Sequence, residues 1–218
     1  MSQVRVHNLS VSLDGFATGS GQSLDAPFGH AGHRLHEWFF ATRAFHAMHG
    51  EPGGTTGIDD AMASKWGPGI GAEIMGRNKF GPQRGPWTGQ DGGEEWKGWW
   101  GADPPFHTPV FVLTHHPRPS IEMAGGTTFH FIDASPEEAL QLARKAAGDL
   151  DIRLGGGPSS IRQFLAADLV DQLHVVLVPI ILGRGESLWE RLEGLERRFG
   201  VESVSSPSGV THLTFTRR

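Results

Sequence analysis

The chain has 218 residues, 38% of them hydrophobic and 20% charged, with a formal net charge of −5 and no cysteine. Those values suit one large globular domain or two small ones, and they exclude disulfide stapling, zinc–thiolate centres and thiol catalysis. The acidic balance without a basic stripe argues against nucleic-acid binding. No apolar run reaches the ~18 residues of a membrane span and the first residues lack a signal-peptide pattern, so a cytoplasmic protein with no membrane partner is expected.

Residues 4–13 alternate apolar and polar side chains, with an irregularity near Asn8, and predict a strand ending on the turn Asp14-Gly15. Residues 16–34 have little periodicity and read as a long functional loop. Leu35, Trp38, Phe39, Phe45 and Met48 are near helical spacing and predict one helix over 35–48, stopped by Gly50 and Pro52. A second short helix fits residues 58–66. The apolar run 70–75 leads into Gly76-Arg77-Asn78, where a strand end followed by a basic, amide-bearing turn suits a phosphate. The loop 81–109 holds Trp87, Trp96, Trp99 and Trp100, which either seal a neighbouring core or line a ligand pocket.

Residues 110–113 and 127–132 read as strands, the first running into Thr114-His115-His116-Pro117-Arg118. A helix over 136–147 has Ser135 as its N-cap, Pro136 at its first position and Glu137–Glu138 in its first turn. A short strand, 152–154, meets Gly155-Gly156-Gly157, followed by a helix over 161–167. The unbroken apolar run 173–178 predicts a central strand closed by Pro179 and the Gly183–Gly185 turn. Residues 201–205 and 210–217 flank Pro207-Ser208-Gly209 as a terminal hairpin. Together these predict an α/β fold, with a mixed, mostly parallel sheet flanked by helices and a C-terminal antiparallel hairpin. One domain over 1–218 is expected, with long insertions at about 16–34 and 81–109.

The triple glycine lets the backbone approach a pyrophosphate while a helix N-terminus offers free N–H groups; a tight turn without a ligand is the alternative. A Rossmann fingerprint is rejected, because the nearest carboxylate, Asp171, precedes the next strand instead of ending it. Arg77, His115, His116 and Arg118 are the candidate phosphate cations. Asp14 is either a proton donor acting through water, a substrate anchor or an Asp-Gly turn former. His30, His33 and His36 have no acidic partner, and no metal is expected.

Three stretches together resemble one known family: Ser12-Leu13-Asp14-Gly15-Phe16, Met75-Gly76-Arg77-Asn78, and Leu154-Gly155-Gly156-Gly157 continuing through Asp171–His174 to Pro179–Gly183. They are similar to the dihydrofolate reductase-like superfamily, and within it to the reductase domain of the riboflavin-biosynthesis deaminase/reductase (the RibD C-terminal-like branch). The resemblance implies NADPH as cofactor and a homodimer. It implies that Gly76, Arg77 and Asn78 meet the cofactor phosphates and that Leu113, Thr114, His115 and His116 cradle the adenosine 2′-phosphate. Gly155, Gly156, Gly157, Ser159 and Ile161 would form the pyrophosphate turn. Asp14 and Ala17 would approach the nicotinamide, with Asp14 as the catalytic candidate. Pro179 and Leu182 would face substrate and cofactor, and Trp38 and Phe39 would border the substrate. Folate reductases place an acid three residues before a tryptophan, where this chain has Leu35, so folate reduction is not predicted. The expected function is NADPH-dependent reduction of a small heteroaromatic, imine or carbonyl substrate. A non-catalytic nucleotide sensor and a reductase using a flavin-like cofactor are the alternatives.

Overall fold

In the computed structural model, residues 2–87 and 96–218 are described. The strands β1 (Val4–Ser12) and β2 (Phe16–Gly19) precede three short helices, α1 (Glu37–Phe40), α2 (Arg43–Met48) and α3 (Ile58–Ala63). Next come β3 (Ile70–Gly76), α4 (Arg77–Phe80), β4 (Pro109–Leu113), β5 (Ile121–Glu122), β6 (Thr128–Ile132) and α5 (Pro136–Ala147). The remainder is β7 (Asp151–Leu154), α6 (Pro158–Ala166), β8 (Gln172–Val178), β9 (Gly185–Ser187), β10 (Phe199–Ser205) and β11 (Thr211–Arg217). Nine strands form one sheet in the order β10-β11-β8-β1-β7-β3-β4-β6-β5, and β2 pairs with β9 in a separate ribbon. Pairing is parallel from β8 across to β6 and antiparallel at both margins. The mixed, mostly parallel sheet with a terminal hairpin is therefore present.

Helices α5 and α6 cover one face. Ala139, Leu140, Ala143, Ile161, Phe164 and Leu165 pack there on Val4, Val6, Ile74, Ile152 and Leu154. On the other face Trp66, Trp87, Trp96 and Trp100 pack against a cluster of Met75, Phe80, Phe106, Val112 and Phe129. The described part of the tryptophan-rich loop thus seals a core, while residues 88–95 of it lie outside the described residues. A third cluster beside β8 holds Leu35, Trp38, Val176, Val178 and Leu182. Covering on both faces is why the central strands read as apolar runs.

The structure departs from the sequence reading in several places. The helix over 35–48 is split, because Thr42 is extended (φ −75°, ψ 152°) and its hydroxyl caps Phe45 N–H. The backbone there bonds Thr55 instead, with Arg43 N–H to Thr55 O at 2.9 Å and Thr55 N–H to Ala41 O at 2.7 Å. A threonine that caps the next turn competes with helix continuation. The irregularity at Asn8 is a bulge, with φ +61° and a shifted register between Val6 and Leu9. The loop 16–34 contains β2, and its Gln22 side chain donates to Asn78 O at 2.8 Å, reaching the start of α4.

Candidate functional site

At the carboxyl ends of β3, β4 and β6, beside the N-terminus of α6, lies a cavity of about 410 Å³. Such strand ends are where open α/β sheets present ligands. Two turns build its floor. Gly76 N–H donates to Gly156 O at 2.7 Å, which ties the turn after β3 to the turn after β7. A Cβ on Gly76 would stand 2.3 Å from Ser160 Oγ, so a side chain here would force that hydroxyl to turn away. A Cβ on Gly157 would meet nothing within 4 Å, leaving that residue open to a ligand. Gly157 is the N-cap of α6 and offers no side-chain cap, and no acid stands in the first turn, so the helix's positive end is available to an anion.

Of the residues expected to bind cofactor, Gly76, Arg77, Asn78, Leu113, Thr114, His115, His116, Gly157 and Ser159 line this cavity. Arg77 lies flat on Trp87, 3.8 Å from the ring centroid. Among the described residues its Nε and Nη2 are buried without a hydrogen-bond partner, and burial together with Arg84 lowers its pKa from the usual value. A guanidinium beside a cavity offers N–H donors that phosphate oxygens accept. His115 Nδ1 is 3.0 Å from Asp133 Oδ1, and both residues line the cavity. Arg118 instead stacks on Trp87 and Phe131 and donates to Trp96 O at 2.7 Å.

The remaining candidates lie elsewhere. Asp14 is exposed, and its carboxylate accepts from Ser12 Oγ at 2.5 Å, Leu182 N–H at 3.1 Å and Gly183 N–H at 2.7 Å. The Ser12 hydrogen bond leads in lowering its pKa, so the group is a carboxylate at neutral pH and staples two turns. Ala17, Ile161 and Leu182 are buried core, and Pro179 is exposed beyond β8. Trp38 is buried with Nε1 donating to Ser10 Oγ at 2.9 Å, and Phe39 packs in the same cluster. Gly155 and Gly156 form the back of the glycine turn: a Cβ on Gly155 would stand 2.1 Å from Glu73 Oε1. Among the described residues no group of three His, Asp or Glu side chains is arranged to hold a metal.

Sequence reasoning missed Arg84, Gly85, Asp133, Ala134, Ser160 and Gln163, all of which line the cavity. Ser159 and Gln163 share a helix face at i, i+4, and Asp133–Ala134 follow the strand that pairs Ile132 with Leu113, so both sets carried a readable signal. Arg84 sits in a glycine- and proline-rich loop with nothing but its charge to mark it.

The model for the RibD C-terminal domain matches residues 5–206. A search of curated proteins finds no match. Among solved structures, a protein assigned to riboflavin biosynthesis from Shewanella sp. PV-4 is similar, with 19% identity, TM-score 0.58, and coverage of 100% of this chain and 99% of that one. A pyrimidine reductase-like protein from Corynebacterium diphtheriae is similar at 16% identity and TM-score 0.52, with 100% and 92% covered. A diaminohydroxyphosphoribosylaminopyrimidine deaminase/5-amino-6-(5-phosphoribosylamino)uracil reductase from Thermotoga maritima follows at 15% identity and TM-score 0.51; this chain is covered fully but spans 57% of that protein. These likenesses agree in fold with the mixed sheet described above. The chain belongs to the RibD C-terminal domain family.

Proposed function

We propose that the protein is an NADPH-dependent reductase of a small molecule carrying a polar double bond in or beside a heterocycle. One observation carries the cofactor part: Arg77, stacked on Trp87 at the cavity, keeps two buried donors without a partner among the described residues. Leaving such donors unpaired costs about 1–3 kcal/mol each, which a bound phosphate recovers. Arg77, Thr114, His115, His116 and Ser159 would hold phosphate groups, with Gly157 allowing close approach. The bound dinucleotide supplies the hydride. The chain itself binds, orients and shields, and Trp87 fixes the plane of the phosphate-facing guanidinium. Family membership supports the reductase class, and so do the names of the Corynebacterium and Thermotoga proteins. The same resemblance supports a homodimer.

Trp87 makes the test direct. NADPH is expected to quench tryptophan fluorescence at lower concentration than NADH. Replacing Arg77 by alanine is expected to weaken NADPH about tenfold and NADH little, in line with loss of a charge-assisted contact. Equal weakening of the two would refute the 2′-phosphate role, and absence of quenching by either at millimolar concentration would sink the nicotinamide reading. Binding without NADPH consumption across pterins, pyrimidinones, imines and quinones would favour the sensor instead.

A further inference from the structure

Among the cationic and neutral groups that line the cavity stands one carboxylate. Arg77 and Arg84 follow β3, His115 and His116 follow β4, and Asp133 follows β6. The register of β4 on β6 pairs Leu113 with Ile132, and Thr114 N–H donates to Ile132 O at 2.9 Å. The residues just beyond, His115 and Asp133, meet at the cavity wall with Nδ1 and Oδ1 3.0 Å apart. Their side chains are 92% and 55% exposed, so the pair adds little to folding. The turn that carries His115 is nevertheless well held. His116 N–H donates to Thr114 Oγ1 at 3.1 Å, and Trp87 Nε1 donates to His116 O. A carboxylate in a site for an anion opposes binding unless a cation stands between the two.

The sheet order puts β3 between β7 and β4, so the turn after β4 is two strand spacings from Gly157 after β7. At about 4.8 Å per spacing that is roughly 10 Å. With a pyrophosphate against Gly157 and the α6 N-terminus, such a distance carries the ligand across one ribose and brings its 2′ substituent to the His115–Asp133 pair. The two protonation states of His115 then offer different things. In the tautomer that donates Nδ1–H to Asp133, a neutral imidazole has only a lone pair left at Nε2. The imidazolium has an N–H on both nitrogens and can donate to a phosphate oxygen as well. Asp133 by itself accepts from a ribose hydroxyl and repels a phosphate.

We propose that the His115–Asp133 pair selects the cofactor at its adenosine ribose, reading a 2′-phosphate when His115 is protonated and a free 2′-hydroxyl when it is neutral. The inference rests on the reductase reading above. In the first state Nδ1–H donates to Asp133, Nε2–H donates to the phosphate, and the imidazolium separates the two anions. In the second the free oxygen of Asp133 accepts from the 2′-hydroxyl, and a phosphate in its place would face the carboxylate unshielded. NADPH binding therefore takes up a proton and NADH binding does not, so preference for NADPH falls as pH rises. The charged groups around His115 are Asp133 after β6, Arg77 and Arg84 after β3, and His116 in its own turn, while the α6 residues that line the cavity are uncharged. Guanidinium groups do not titrate in this range. They supply the constant part of phosphate affinity, and the His115–Asp133 pair sets the preference.

Isothermal titration calorimetry of the full chain with NADPH and with NADH gives both affinities and the protons taken up. From about pH 6.5 to about pH 8.5 the ratio of NADPH to NADH affinity is expected to fall about tenfold, within the hundredfold that one linked proton allows. Repeating the titration in buffers of different ionisation enthalpy is expected to show proton uptake with NADPH and none with NADH. His115→Gln, which keeps an N–H donor at every pH, is expected to make the ratio independent of pH. Asp133→Ala is expected to raise the ratio several-fold at the higher pH, by strengthening NADPH and weakening NADH. A ratio that does not change with pH in the unaltered protein, while both nucleotides bind, overturns the proposal. So does the same slope in His115→Gln, which would place the proton on His116 or on the nucleotide, and so does an unchanged ratio in Asp133→Ala. If neither nucleotide binds at millimolar concentration, the reductase reading itself fails and the selection falls with it.

Discussion

At the residue scale, the three consecutive glycines have three different reasons to be glycine. Gly155 is required by the Glu73–Lys79 pair behind it, and Gly156 by a φ of +110°. Gly157 has open space and a φ of −71°, which any residue adopts. Gly155→Ala is therefore expected to lower the urea midpoint markedly, with a loss of about 2 kcal/mol or more from overpacking. Gly157→Ala is expected to leave the midpoint nearly unchanged and, on the proposed function, to weaken NADPH, because its methyl would project into the cavity. A matched loss of stability in the two variants would contradict this division. The sequence marked all three as one phosphate motif. It could not separate them, because the Glu73–Lys79 pair comes from a strand and helix some 80 residues earlier in the chain.

At the scale of elements, most strands were legible because double-sided burial leaves unbroken apolar runs and because Ser135, Pro136, Pro179 and Gly209 punctuate them. The cavity followed from the same rule: the ends of β3 and β4 with the turns after them, together with the glycine turn and the start of α6, supply most of its lining. What could not be read were β2, β5 and β9, which are two to four residues long and are held by pairing rather than by any pattern of their own. The split between α1 and α2 was hidden for a related reason, since Thr42 breaks the helix through its cap on Phe45 together with its pairing to Thr55, thirteen residues on. Thr42→Ala is expected to cost about 1 kcal/mol through loss of the cap on Phe45, measured by urea unfolding. Unchanged stability would mean that the Thr55 backbone contacts alone hold the break.

At the scale of the whole molecule, buried histidines set the response to acid. His212 Nε2 meets Asp59 Oδ1 at 2.9 Å, and His174 Nε2 meets His212 Nδ1 at 3.1 Å. With Asp59 ionised, this chain is satisfied when His212 donates to Asp59 and His174 donates to His212. Burial lowers the pKa of His7 and His36 to about 4 and that of His174 to about 2, from an ordinary 6.5. Below pH 6.5 the unfolded chain therefore binds protons that the folded chain refuses, and stability falls as pH falls toward 4. Allowing for partial exposure of His7 and His36, the slope is expected to be about 2–3 kcal/mol per pH unit between pH 6 and 5. Urea midpoints at pH 7.5, 6 and 5 would show it, and a flat profile would disprove it.

The position of β1 has a further consequence for synthesis. This strand lies between β7 and β8, and its registered partners include Ile152 and Val178. On the ribosome, at about 5–20 residues per second, the first strand waits roughly 10–30 s for those partners to be made. Throughout that time the nascent chain carries both edges of an interior strand unpaired, which is the situation in which exposed β segments aggregate. Arg5, His7 and Asn8 interrupt that segment with polar groups, the kind of break that limits pairing between exposed strands.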